Sequence, residues 1–140
     1  MQSLRLLTSV CQSPKSLVRS MSKSAEKLLR LPKVQIKDGE APYLLLTVYI
    51  HGQTQYGRTI VRGWSVKEHD IIYKKVRADM EKLGLCIQSR GGGFINNDGA
   101  NKAIQIYGAC STHGRADHAR TREILESWSA FSGYTIKITD

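Results

Sequence analysis

Residues 43–50, YLLLTVYI, are the longest apolar stretch of this 140-residue chain. Aliphatic and aromatic residues in one short run are typical of a β-strand, and the near absence of polar residues predicts a central position in the sheet. Because eight residues are too few to cross a bilayer, the stretch predicts no transmembrane segment.

The segments around this stretch predict more strands, bounded by glycine and polar turns. They cover residues 34–37, 56–62, 85–88, 103–107 and 134–138. Strands that are spread over the whole chain in this way must form a sheet with long-range pairings.

Two other segments have the apolar spacing of a helix. The first begins at Ser65 and Glu68, which fit a capping box, and ends at Gly84. The second runs from about Ala116 to Gly133. Strands with two separated helices and no regular βαβ alternation predict an α+β fold. We expect a single compact domain, with a mixed, mainly antiparallel β-sheet of about six strands packed by two α-helices.

The net charge of +9 is concentrated at the N-terminus. Residues 1–33 carry seven Lys or Arg residues and one acid, a net +6, whereas the remaining residues carry only +3. A protein that binds a nucleic-acid backbone needs the excess charge on its folded body. We therefore predict no nucleic-acid partner, and the short apolar stretches predict no membrane partner.

Residues 1–32 are predicted to form a basic, serine-rich leader, and residues 33–140 the folded domain. The leader has no acid before Glu26 and no continuous apolar stretch of the secretory kind. This composition suits a mitochondrial presequence, and a disordered tail is the alternative. Three widely spaced cysteines indicate reduced thiols inside the cell. We expect a cytoplasmic protein, or a mitochondrial one if the leader is a presequence.

His69 extends the apolar stripe of the first predicted helix at the positive end of the helix dipole. That end favours an anion over an imidazolium, so a neutral imidazole could meet a phosphate there. The alternative is a partly buried histidine that packs against Trp64. One histidine is a weak signal, and by itself it favours this alternative.

Other candidate residues carry weaker signals. His113 and His118 have no nearby carboxylate or cysteine pair, so no metal site is predicted, and His118 is expected to form hydrogen bonds where the second helix begins. Cys110 lacks an arginine at the spacing that cysteine phosphatases require, which favours a small semi-buried residue. The glycines at 91–93 match no nucleotide motif and predict either a flexible bulge or amides around an anion.

Five segments, taken together and in order, resemble the janus and phosphohistidine phosphatase family. They are IVRG (60–63), EHDIIY (68–73), GLCIQSRGGG (84–93), KAIQIYG (102–108) and GRADHARTR (114–122). The resemblance extends from about Val34 to Asp140. The stretches HGQTQYGRTIVRG and ADHARTR are most similar to the janus-B branch, known from flies as sex-regulated proteins.

The resemblance implies metal-independent hydrolysis of the P–N bond in protein phosphohistidine, with no cofactor. It implies that His69 is the catalytic residue, acting as proton acceptor or as nucleophile. The implied phosphate-binding residues are Arg62, Gly91, Gly92, Gly93, Cys110, Ser111 and Thr112. The implied partner is a phosphohistidine-containing protein, and we expect the chain itself to be a monomer.

Three positions depart from the family pattern. Pro42 and Phe94 stand where active members carry basic residues, Pro42 at a substrate contact, and Cys110 stands where they have a serine. A lost charge-assisted contact costs roughly 1.5–3 kcal/mol. Two hypotheses follow: a janus-B-like phosphohistidine phosphatase with a role in sexual differentiation, or a catalytically weak or inactive binding protein that keeps the fold and an anion pocket.

Overall fold

The computed structural model describes residues 23–139, except for the side chains of residues 23–24 and 54–56. The elements in chain order are α1 (Lys23–Arg30), β1 (Val34–Ile36), β2 (Gly39–Ile50), β3 (Gln53–Gly63), α2 (His69–Lys82), β4 (Leu85–Asp98), β5 (Ala103–Tyr107), α3 (His118–Ser127), a short 3-10 helix (Ser129–Phe131) and β6 (Thr135–Ile138). None of these helices is long and apolar enough to cross a membrane. Residues 1–22, on which the presequence hypothesis depends, lie outside the described residues.

All six strands belong to one open, mixed sheet with the order β1-β3-β2-β4-β5-β6. The inner pairings are antiparallel, and the two outer pairings, β1 with β3 and β5 with β6, are parallel. The stretch YLLLTVYI lies in β2, between β3 and β4. The predicted central strand and the predicted α+β fold are therefore confirmed.

The two faces of the sheet are covered by different helices. Side chains alternate along β2, so Leu44 and Leu46 join the cluster under α1 and α2, while Leu45 joins the cluster under α3. On the first face the helical contacts come from Leu28, Leu31, Ile72, Val76 and Met80. On the second face they come from Ile124 and Leu125. Burial on both faces explains why this strand is a continuous apolar run.

Two boundaries differ from the sequence prediction. The capping box at Ser65 is wrong, because α2 begins at His69 and its N-cap residue, Glu68, makes no side-chain cap hydrogen bond. A turn in which the Val66 amide donates to the Trp64 carbonyl occupies the segment before it. Strand β4 is also longer than predicted and runs through the three glycines, because β2 and β5 pair with its second half.

The helix α1 was missed by the sequence patterns. Its Leu28, with the following Leu31, is buried in the cluster under α2. The helix lies inside the segment assigned to the leader. It was missed because basic residues dominate the composition of that segment and the helix is only eight residues long. The described fold therefore begins before Lys33.

Candidate functional site

His69 is the first residue of α2, and its ring faces the sheet. Nε2 lies 2.7 Å from the carbonyl oxygen of Gly93, and the residue is 9% exposed. A carbonyl oxygen can only accept, so Nε2 carries a hydrogen and donates it. The neutral ring therefore has its lone pair on Nδ1. Within residues 23–139 no hydrogen bond to this nitrogen is found, so its lone pair has no partner in the described part of the chain.

Neighbouring groups approach the backbone of β4 from both faces of the strand, and this close approach explains its glycines. A β-carbon at Gly92 would lie 2.7 Å from the Tyr43 carbonyl oxygen and 3.0 Å from Cδ2 of His69. A β-carbon at Gly93 would lie 2.6 Å from Cε1 of His118, on the other face. Two imidazole rings thus pack directly on the backbone of consecutive residues, which only glycine allows.

Two amides of the triple glycine donate hydrogen bonds inside the protein. The Gly92 amide donates to the Gly114 carbonyl at 2.9 Å, and the Gly91 amide donates to Oγ of Ser89 at 3.3 Å. Gly91 also has a φ of +103°, at the point where β4 carries an extra residue relative to β2. The Gly92 amide, together with the Ala116 amide that donates to the Gly92 carbonyl at 3.0 Å, holds the loop 114–116 against β4.

The segment 110–114, called here the 110–114 loop, lies against the first turn of α2. Cys110 and Gly114 exchange two backbone hydrogen bonds, and the His113 amide donates to Sγ of Cys110 at 3.2 Å. The His113 ring packs on Tyr73 with centroids 5.2 Å apart, and its Nε2 is 3.5 Å from Oδ1 of Asp70. Ser111 and Thr112 are exposed at the tip of the loop, next to α2.

Cys110 is buried, as its interpretation as a small semi-buried residue requires. Its sulfur accepts a hydrogen bond from the loop and so helps to shape it. Within residues 23–139, no three His, Cys, Asp or Glu side chains lie close enough together to hold a metal ion.

Arg62 is buried on the same face of the sheet as His69, but its guanidinium group turns away from the ring. Its two terminal nitrogens donate to the carbonyl oxygens of Val61, at 3.0 Å, and of Pro32, at 2.9 Å. In the strand register Arg62 and Gly92 both pair with Leu44, from opposite sides, which separates them by about 10 Å. Burial lowers the pKa of Arg62 to about 10, so the group remains charged at neutral pH.

His118, the first residue of α3, forms hydrogen bonds as expected, in a buried network that the sequence patterns did not reveal. Its Nε2 donates to the Gly108 carbonyl at 2.8 Å, so its Nδ1 accepts from the Tyr43 hydroxyl at 2.6 Å. The Tyr43 oxygen also lies 3.1 Å from Oγ1 of Thr121. The only sequence signal for this network was the spacing of His118 and Thr121 on one helical face.

An apolar row stands where the family resemblance led us to expect basic residues. Pro42, Phe94 and Tyr107 are register partners on three neighbouring strands. The edge of the Phe94 ring meets the His69 ring, with centroids 5.2 Å apart, and its face stacks on Tyr107 at 5.7 Å. The His69 ring therefore has an aromatic neighbour on the side where a cation was expected.

Gly93→Ala tests the close approach of His118 to β4. We expect this change to lower the free energy of unfolding by about 1–3 kcal/mol, because the new methyl group overlaps His118 and the Tyr107 carbonyl. Gly99→Ala is the matched control, since its nearest neighbour would be 3.5 Å away. Urea denaturation of both variants measures the difference. Equal stability of the two variants would contradict this packing.

Tyr43→Phe tests the buried network through pH. Burial raises the pKa of Tyr43, so its neutral form stabilises the folded state below the pKa of an unfolded tyrosine, about 10, and this stabilisation is lost as pH rises above that value. Between pH 9 and 11 the free energy of unfolding of the wild type should therefore fall more steeply than that of Tyr43→Phe, by up to about 1.4 kcal/mol per pH unit. A wild-type slope no steeper than that of Tyr43→Phe would contradict the buried network.

Known proteins are similar to this chain over nearly its whole length. The model of the Janus/Ocnus family (Ocnus) matches residues 28–135. The chain is 47% identical over 139 residues to sex-regulated protein janus-B of Drosophila pseudoobscura pseudoobscura, covering 99% of both chains. It is 39% identical over 137 residues to janus-B of Drosophila melanogaster, covering 98% of this chain and 96% of the relative. The chain belongs to the Janus/Ocnus family.

Proposed function

We propose that this chain removes the phosphoryl group from phosphohistidine in proteins, with His69 acting at phosphorus. The observation that carries the proposal is the 2.7 Å hydrogen bond from Nε2 of His69 to the Gly93 carbonyl. This bond orients the neutral ring and leaves the lone pair on Nδ1, for which the described residues provide no hydrogen-bond donor. An oriented neutral imidazole is the group that general-base or nucleophilic catalysis requires near pH 7.

Two routes are consistent with this orientation. As nucleophile, Nδ1 of His69 bonds to phosphorus while the P–N bond of the substrate breaks, and its electron pair returns to the substrate imidazole, which takes a proton. Water then releases phosphate from His69. As proton acceptor, Nδ1 takes a proton from the water that attacks phosphorus, while the P–N bond breaks with its electron pair going to the substrate imidazole, which then takes the proton from Nδ1. In both routes the ring becomes cationic, and the Gly93 carbonyl stabilises that charge through the Nε2 hydrogen bond.

Phosphate oxygens are proposed to bind between the 110–114 loop and the start of α2. Ser111 and Thr112 have exposed hydroxyls and backbone amides there, and the helix N-terminus adds partial positive charge. Arg62, whose guanidinium group donates to the Val61 and Pro32 carbonyls, contributes positive potential rather than a direct contact. The P–N bond is labile, so the reaction needs fewer cations than hydrolysis of a phosphate ester.

The biological setting is proposed from the relatives. Curated proteins over nearly the full length of this chain carry the name sex-regulated protein janus-B. We infer that this chain acts on its phosphorylated partner during sexual differentiation. A cytoplasmic monomer is part of the same proposal.

A second candidate function is supported by the apolar row. Phe94 fills the side of the His69 ring where active relatives are expected to place a cation, and Pro42 stands beside it in the register. A site with these neighbours can bind an anion through amides while hydrolysing it slowly. The second candidate is therefore a binding protein that recognises phosphohistidine without efficient turnover.

His69→Ala separates His69 chemistry from an unrelated activity. Using a carrier protein phosphorylated on histidine with phosphoramidate, we expect phosphate release in EDTA by the wild type and a rate about 10²–10⁴ lower in His69→Ala, because the reacting imidazole is lost. His51→Ala, which removes an exposed histidine of the β2–β3 turn, is the control and should keep the wild-type rate. Unchanged phosphate release by His69→Ala would refute the proposed role. A labelled phosphoryl group trapped on His69 in a single turnover would identify the nucleophilic route.

Pro42→Lys combined with Phe94→Arg decides between the two candidate functions. Each restored charge-assisted contact is worth roughly 1.5–3 kcal/mol, so the double variant should release phosphate at least tenfold faster than the wild type. Phosphate release measured in the double variant and in the double variant with His69→Ala checks the result. Activity that appears only after the double substitution would favour the binding protein as the natural function.

A further inference from the structure

The helix α2 covers only part of its face of the sheet. The cluster beneath it contains residues of β2, β3 and β4 but none of β5 or β6. Where α2 begins, at His69, the same face continues with Phe94 on β4 and Tyr107 on β5, both half-buried and neither a member of a helix-covered cluster. An apolar surface therefore starts at the His69 ring and extends toward solvent.

This surface is concave. Phe94, Tyr107, Pro42, Ala41 and Glu40 line a cavity of about 360 Å³. The next row of the same sheet face, Asn96 with Gln105, lines an adjoining cavity of about 380 Å³. We call the two cavities together the β4–β5 groove. Its volume accommodates side chains and a short stretch of peptide, and Phe94 in its wall contacts the ring of the candidate catalytic histidine.

The charges of the groove select against some occupants. Glu40 stands at the rim of the first cavity, and Asp98, with Lys137, lines the second. Two carboxylates against one lysine disfavour an anionic membrane surface or nucleic acid. They favour a segment that carries a basic residue beside an apolar one.

The rings of His69, Phe94 and Tyr107 lie close enough together for one extended peptide to reach all three. The step from the His69 ring to Phe94 is 5.2 Å, and the step from Phe94 to Tyr107 is 5.7 Å. In an extended chain, side chains two residues apart point the same way and are separated by about 6.5–7 Å. A residue bound at His69 therefore places the residue two positions away over Phe94 and Tyr107.

We propose that the β4–β5 groove binds an extended segment of the phosphohistidine protein. An apolar side chain two residues from the phosphohistidine packs on Phe94 and Tyr107, and a Lys or Arg beyond it meets Glu40. The inference rests on the proposed function, since His69 is taken as the phosphoryl site. It assigns to Phe94 a role in choosing the substrate, in place of a role in binding phosphate.

Fluorescence anisotropy with three matched peptides tests the groove. Each peptide has a central phosphoryl-triazolylalanine, a stable analogue of phosphohistidine. The first has Leu two residues to either side and Lys four residues to either side; the second replaces Leu by Ser, and the third replaces Lys by Glu. We expect the wild type to bind the Leu peptide about tenfold more tightly than the Ser peptide, because a leucine side chain leaves water. The same first peptide, which carries Lys, should bind about two- to fivefold more tightly than the third peptide, in which Glu replaces Lys.

Protein variants locate these preferences. Phe94→Ser, and independently Tyr107→Ser, should abolish the preference for Leu over Ser, while Glu40→Gln should abolish the preference for Lys over Glu. Leu29→Ser removes an exposed apolar side chain from α1 and is the matched control, which should keep both preferences. Equal affinity of the wild type for the Leu and Ser peptides would overturn the proposal whether or not the variants fold.

A fourth peptide, with histidine in place of the phosphorylated residue, separates this inference from the proposed function. Preference for the phosphorylated peptide without preference for Leu would leave the proposed function in place and overturn the groove. Preference for Leu without preference for phosphate would support the groove and overturn the phosphoryl site. A concentration-dependent dimer of the wild type that Phe94→Ser abolishes would show a second copy on this face and would also overturn the proposal.

Discussion

His69 and His118 approach the same two residues of β4 from opposite faces of the sheet, and the rest of the site depends on that constraint. Each ring lies so close to the backbone that a β-carbon at Gly92 or Gly93 would overlap it. Each ring also donates from Nε2 to a backbone carbonyl, of Gly93 or of Gly108. Buried polar groups need such partners, because an unsatisfied one costs about 1–3 kcal/mol. The strand therefore links the two helices through their first residues.

This arrangement changes how the glycines relate to phosphate chemistry. The Gly91 and Gly92 amides donate hydrogen bonds to Ser89 and Gly114 inside the protein. The backbone of β4 therefore holds the residues of the site in position more than it offers amides to a ligand. Among the described residues, Nδ1 of His69 has no hydrogen bond, and the tip of the 110–114 loop is exposed. In the proposed chemistry the glycines thus contribute by holding the imidazole and the loop in place, which is a matter of preorganisation.

The distribution of charge around His69 is unusual for a phosphate site. Arg62 keeps its charge but directs it to two carbonyls, and Phe94 presents an aromatic edge to the imidazole. The same row of the sheet continues into a groove with apolar walls and a carboxylate at its rim. One fold can hold different chemistry when side chains at its site are exchanged. In the function proposed above, this row of the sheet binds the peptide that carries the phosphoryl group.

The sequence by itself determined the fold class, the central strand and the position of His69 on the inner face of α2, because hydrophobic periodicity and the length of the apolar run are local properties. The resemblance to a family assigned candidate roles residue by residue. The sequence did not predict α1, because its short helical period is hidden among basic residues. It also did not predict the true start of α2, where tertiary packing outweighed a local capping signal. Only the tertiary structure decided which hydrogen-bond donors are free, since the partners of Gly92, Arg62 and His118 lie 22, 30 and 75 residues away along the chain. Contacts at such distances are set by strand register and helix docking, and no local pattern encodes them.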